Sequence, residues 1–179
     1  MAESFSNKVA RAVGIVTSSA AGAIGITTNK ITGISTAGVS IEDLVDNQNY
    51  IAGTKVTSIG IGSVFVDRDS TNTSSTTNQS VKFLTPTVVY TSPASTKSIL
   101  IGGTFANNTN NQVELTVTVL DQSTGISGNI ASKIPVPAGS SFVISDTGKT
   151  LLEGNDAIKV ACNTANGVDV NLSILQGVN

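Results

Sequence analysis

The chain has 179 residues, of which 39% are hydrophobic, 12% charged and 4% aromatic, with a formal net charge of −2. That length allows one domain carrying a smaller second unit, with a core that needs neither disulfide nor metal to hold it. Charged residues stand at about half the usual share, and the balance builds no basic field, which excludes electrostatic capture of nucleic acid.

Surface polarity must therefore come from Ser, Thr, Asn and Gln, whose short side chains compete for backbone hydrogen bonds and favour strands and turns over helices. Histidine and tryptophan are absent, so the commonest general base and the commonest zinc ligand are both missing. The single cysteine, Cys162, permits no intrachain disulfide. It reads as a small buried apolar residue on the strand face of Ile158 and Val160. No apolar run approaches the roughly 18 residues that would span a bilayer, and no membrane partner is expected. Residues 13–26 follow Lys8 and Arg11 as a leader might. However, Glu3 lies in the would-be positive region and the apolar run 13–16 is too short, so use without secretion is expected.

In chain order, residues 1–12 offer a helical start, capped by Ser4 or Ser6 with Phe5, Val9 and Ala12 on one side. Residues 18–23 read as a small-residue linker. Strands are expected at 31–34 and 55–59. Gly60-Ile61-Gly62 then forms a tight turn into a strand at 63–67, its glycines permitting positive φ. Residues 41–47 suggest one helical turn or an irregular loop. Residues 68–79 are nearly all polar and read as a long exposed loop or spur. Beyond Thr85 the alternation is cleanest. Val113, Leu115, Val117 and Val119 alternate with Glu114, Thr116 and Thr118, and Val168, Val170, Leu172 and Ile174 with Asp169, Asn171 and Ser173. Shorter strands are expected at 98–101, 133–136, 141–145 and 157–162, separated by turns at 107–111, 137–139 and 153–156. Short strands with one buried face each describe an antiparallel β-sandwich.

Few constellations suggest chemistry. Gly148-Lys149-Thr150 matches the end of a phosphate-binding loop, but Val143 stands where that loop needs glycine, and strands flank it on both sides. Asp67-Arg68-Asp69 opens like a calcium loop, yet Asn72 and Asn78 occupy the required glycine and glutamate positions. Glu42, Asp43 and Asp46 form an acidic cluster without the aromatic cleft that sugar hydrolysis needs, Tyr50 and Tyr90 being the sole tyrosines. Asn72, Asn78, Asn107 and Asn171 each begin a glycosylation acceptor pattern, expected to stay unmodified in a chain used without secretion. No catalytic, cofactor-binding or metal-ligating residue is assigned, and an enzyme is not expected.

Two stretches carry a resemblance. Val88-Val89-Tyr90-Thr91, Ser98-Ile99-Leu100-Ile101-Gly102 and Phe105-Ala106-Asn107-Asn108 begin the first. It continues through the strand from Val113 to Leu120, then Ile134-Pro135-Val136-Pro137-Ala138-Gly139 and the final run from Gly167 to Leu175. These resemble a small β-sandwich domain of tailed-phage virion structural proteins, especially those of cyanophages. A short motif similar to Val9-Ala10-Arg11-Ala12-Val13-Gly14 often precedes that domain. Residues 51–60 followed by 62–66 resemble a β-hairpin unit of viral fibres. Together the matches cover roughly three-quarters of the chain.

The expected fold is therefore an all-β, antiparallel β-sandwich with a short N-terminal arm and an inserted small β subdomain. The boundaries are 1–23 for the arm and linker, 24–84 for the insertion and 85–179 for the sandwich. The resemblance implies a non-catalytic virion structural protein, assembled in the host cytoplasm without cofactors. It would self-associate as a homo-oligomer, expected to be a trimer, and act as a capsid decoration (cement) or neck/tail collar component. Its partners would be other virion proteins such as major capsid or neck and tail proteins. The alternative is a receptor- or carbohydrate-binding module of a viral fibre.

Overall fold

The computed structural model describes residues 3–145 and 149–178. Its strands are β1 (Ser4–Val13), β2 (Ile15–Ile24), β3 (Lys30–Thr32), β4 (Leu44–Asp46), β5 (Val56–Gly60), β6 (Ser63–Val66), β7 (Thr76–Thr85) and β8 (Thr87–Thr91). They continue with β9 (Lys97–Asn107), β10 (Val113–Asp121), β11 (Ile126–Val136), β12 (Ser141–Ile144), β13 (Thr150–Leu152), β14 (Ala157–Cys162) and β15 (Val168–Val178). The fold is all-β and every pairing is antiparallel. Two compact units divide it, Met1–Gly14 with Thr87–Asn179, and Ile15–Pro86.

The first unit is a sandwich. One sheet has the order β1-β15-β9-β12, with β13 also on β9, and the other has β11-β10-β14-β8. Folding this unit's chain at the β10–β11 turn brings β10 to β11, β9 to β12, β8 to β14 and β1 to β15. Rolling that long hairpin sets β15 beside β9 and β14 beside β10. The result is an eight-stranded jelly roll with β13 as an addition. Its core takes the inward face of each strand, including Leu100, Phe105, Leu115, Val117, Ile158, Cys162, Leu172 and Ile174, as the alternation requires. Thr116 and Thr118, expected to face solvent, are buried. Their hydroxyls are satisfied, Thr118 Oγ1 donating to Asn129 Oδ1 at 2.9 Å and Thr116 Oγ1 accepting from the Lys133 N–H at 3.2 Å.

The helical start expected at residues 1–12 is corrected. The segment forms edge strand β1, in register with β15 from Ser4–Gln176 to Ala10–Val170. A helix this short is marginal in water, whereas β15 offers a full ladder of backbone partners. The linker expected at 18–23 is also corrected, because these residues belong to β2. At Gly22 the wall is tight. A Cβ at Gly22 would lie 2.9 Å from Val81 Cγ2 and 3.1 Å from the Gln79 carbonyl oxygen.

The second unit is a six-stranded sheet in the order β4-β7-β2-β3-β6-β5. Its two ends meet. The Val45 N–H donates to Thr54 O at 2.8 Å, Val56 N–H to Asp43 O at 2.9 Å, and Leu44 bridges to Lys55. The sheet thus curls into a small barrel around Ile24, Ile31, Val45, Val56, Val64, Val81 and Phe83, joined at this point. The β5–β6 hairpin turns at Ile61-Gly62 as expected, with Gly62 at φ +62°.

Candidate interaction surface

Residues that alternate along a strand share a face, and residues paired across strands stand side chain to side chain about 4.5–5.5 Å apart. In the jelly roll, Phe5 on β1 is opposite Leu175 on β15, Leu175 is opposite Ile99 on β9, and Ile99 is opposite Leu151 on β13. Their neighbours Leu100, Leu152 and Ile174 point into the core, so this row points outward. Phe5 is 77% exposed and Leu151 51% exposed, while Leu175 and Ile99 are half-buried. Further along the same face, Val9 pairs with Asn171, Asn171 with Thr104, and Thr104 with Val143. Val9 and Val143 are exposed as well. An apolar row crossing four strands is a patch, unlike singly scattered surface residues that need no explanation.

Two ion pairs flank the rows on this face. Arg11 Nε lies 4.0 Å from Asp169 Oδ2 towards one end, and Lys97 Nζ 3.7 Å from Glu153 Oε1 towards the other. Asp169 Oδ1 also accepts the Ala12 N–H at 2.8 Å. The face is therefore electrically balanced between two exposed ion pairs, which themselves contribute little stability.

The sequence motifs fall elsewhere and do not converge. Glu42 pairs with Lys55 at 3.0 Å, and buried Asp43 accepts the Ser40 N–H at 2.8 Å through Oδ2. Asp46 stands on β4 opposite Lys82. Asp67 is occupied in holding the Lys55 N–H at 2.8 Å, and Arg68 reaches the Ala52 carbonyl at 3.1 Å. Among the described residues, no group of three or more His, Cys, Asp or Glu is placed to hold a metal ion. Gly148 of the Gly148-Lys149-Thr150 motif lies outside the described residues, and Thr150 opens β13 opposite Leu100.

The polar run at 68–79 is a mostly exposed loop as far as Ser75, as expected, but it is tied down at Ser70, and its last residues are corrected from loop to strand. Ser70 is buried, donating to Gly25 O at 2.9 Å and accepting the Thr28 N–H at 3.1 Å, and β7 begins at Thr76. Asn107, which begins one of the acceptor patterns expected to stay unmodified, is buried. Its Nδ2 donates to the carbonyls of Asn111, Val136 and Pro137, tying two turns of the sandwich together.

Both tyrosines are internal. Tyr50 donates to Thr28 O at 3.2 Å, and burial, with the Asp69 carboxylate acting on it, pushes its phenol up to about 12. Tyr90 shares its hydroxyl with Ser98 Oγ at 2.8 Å and accepts from Gln176 Nε2 at 2.9 Å. Cys162 is fully buried in the sandwich core. The barrel carries a groove of about 300 Å³, lined by residues including Ile24, Thr28, Lys30, Thr32 and Thr76.

The apolar row escapes sequence reading because it joins residues from both ends of the chain. Phe5 and Val9, four apart, fit a helix face as well as a strand face.

Comparison with family models and with curated proteins finds no match. Among solved structures, the chain is similar to a chain in a structure of infectious bursal disease virus, Gt strain, at a TM-score of 0.31 and 9% identity. The alignment covers 96% of this chain and 55% of that chain, so this chain spans about half the length of its neighbour. Likeness at that level carries no functional argument.

Proposed function

We propose that the protein is a non-catalytic structural subunit of a tailed-phage particle, self-associating to decorate the capsid or to build the neck or tail collar. The observation that carries this reading is the outward apolar row Phe5–Leu175–Ile99–Leu151 on the jelly-roll sheet. A jelly roll serves shells and lectins alike, so the choice between them rests on the surface. A β face crossed by aliphatic side chains and one phenylalanine suits burial against another protein, because sheets pack face to face through such rows. The cyanophage-like resemblance of the sandwich segments points the same way.

Quantitative mass spectrometry of purified particles tests the reading. A ratio to the major capsid subunit near one, or a simple fraction of it, assigns the protein to capsid decoration. A handful of copies assigns it to the neck or tail. Absence from the particle overturns the reading.

The second reading is a receptor- or carbohydrate-binding module, favoured by the barrel groove beside Lys30, where Ile24 and several threonines form the lining. The burial of both tyrosines weighs against it, since neither ring is free to stack on a sugar. Glycan-array binding lost on Lys30→Ala, with the fold retained, would select this reading.

A further inference from the structure

We infer that the outer face of the β1-β15-β9-β12/β13 sheet packs against the same face of a second copy of this chain, as a twofold pair. The inference rests on the self-association proposed above and names its surface.

Three observations select a second copy as the occupant. The first is charge. The face's ion pairs, Arg11 with Asp169 and Lys97 with Glu153, balance each other on either side of the apolar rows. A face of no net charge neither repels its own copy nor draws a strongly charged partner. The second is extent. Four strands spaced about 4.8 Å apart, with their side chains, span about 20 Å, and an eleven-residue strand runs about 35 Å. That outlines about 700 Å² on each copy, or about 1,400 Å² per pair, within the standard range for stable interfaces. β9 and β15, the two central strands, are the eleven-residue strands that set this length. The third is composition. Each row has apolar outer members, Phe5 and Leu151 in one and Val9 and Val143 in the other. The row through Asn171 and Thr104 sets polar groups at its centre. An isologous pair requires such a surface to complement itself across the twofold axis. A closed threefold ring, the assembly expected from sequence, would instead need two different surfaces.

Native mass spectrometry and sedimentation of the full chain test this. Wild type should run at twice 18.1 kDa. Phe5→Glu with Leu151→Glu should run at the single mass, with dimer affinity weakened by about 100-fold or more. Both positions are exposed, so circular dichroism should stay at wild-type values and melting should remain cooperative, lowered only by the stabilisation that pairing supplied, separating loss of pairing from loss of fold. The control is Ile126→Glu, an exposed position on the other sheet, and it should remain dimeric. A double variant that stays dimeric, or a wild type of three-subunit mass, overturns this face while leaving self-association standing. A wild type that stays monomeric at concentrations on the order of 100 μM overturns the pairing itself. The virion reading is decided separately, by the particle measurement.

Discussion

At Gly14, the last residue before the chain enters the barrel, φ is +135° and a Cβ would sit 2.2 Å from the Thr164 carbonyl oxygen. The Gly14 carbonyl in turn accepts the Asn166 N–H at 2.9 Å, tying this exit to the β14–β15 turn. Gly14→Ala is therefore strained in both backbone and packing, and should cost at least about 3 kcal/mol in a denaturant melt. Tyr50 makes a second residue-level prediction. Its folded value of about 12 lies above the ordinary 10.0, so between these values the unfolded chain gives up a proton that the folded chain keeps. Stability is thus fully present below pH 10 and falls as pH rises towards 12. Tyr50→Phe should flatten that fall in melts recorded across the same range.

At the scale of elements, β10 and β15 hold the sandwich core. Leu115, Val117, Val170 and Leu172 are buried to within 1% of full exclusion. Leu172→Ala should cost about 2–5 kcal/mol by the cavity it leaves, read as a fall in denaturation midpoint. Val117→Asp should abolish the sandwich's own cooperative transition, since the carboxylate would have no partner in that core. Leu172 also packs where a Gly103 side chain would go, 2.8 Å from a built Cβ, so β9 needs glycine there for reasons of contact. The β10–β11 hairpin is closed by Asp121, whose carboxylate accepts the Ser123 hydroxyl at 2.7 Å and the Ser123 and Thr124 N–H groups. These bonds, the Ser123 hydroxyl first, hold Asp121 below the usual carboxylate range.

For the whole molecule, each unit has its own core, and two chain crossings join them. Ile15 pairs with Thr85, so the two connections leave the barrel side by side. A compact unit with adjacent ends is the kind of insertion a surface turn tolerates. Calorimetry should resolve two transitions, with Leu172→Ala lowering one and Phe83→Ala the other. A single transition moved equally by both substitutions would refute independent folding of the units.

Much of this was legible in the residues themselves. The period-two alternation of β10 and β15, the burial of Cys162 beside Ile158 and Val160, and the Ile61-Gly62 turn follow from local pattern. An all-β chain follows from the same pattern together with a composition rich in Ser, Thr and Asn. Tertiary structure alone decided the rest. Whether residues 4–13 became helix or strand depended on β15, about 160 positions away, and local propensity cannot count a distant ladder of hydrogen bonds. Small residues in β2 read as a linker until Val81 stands against Gly22. Closure of the barrel and the Phe5–Leu175–Ile99–Leu151 row exist only once strands from distant parts of the chain lie side by side. A strand's sequence states which face it buries, but its partners are chosen by the packing of the whole chain.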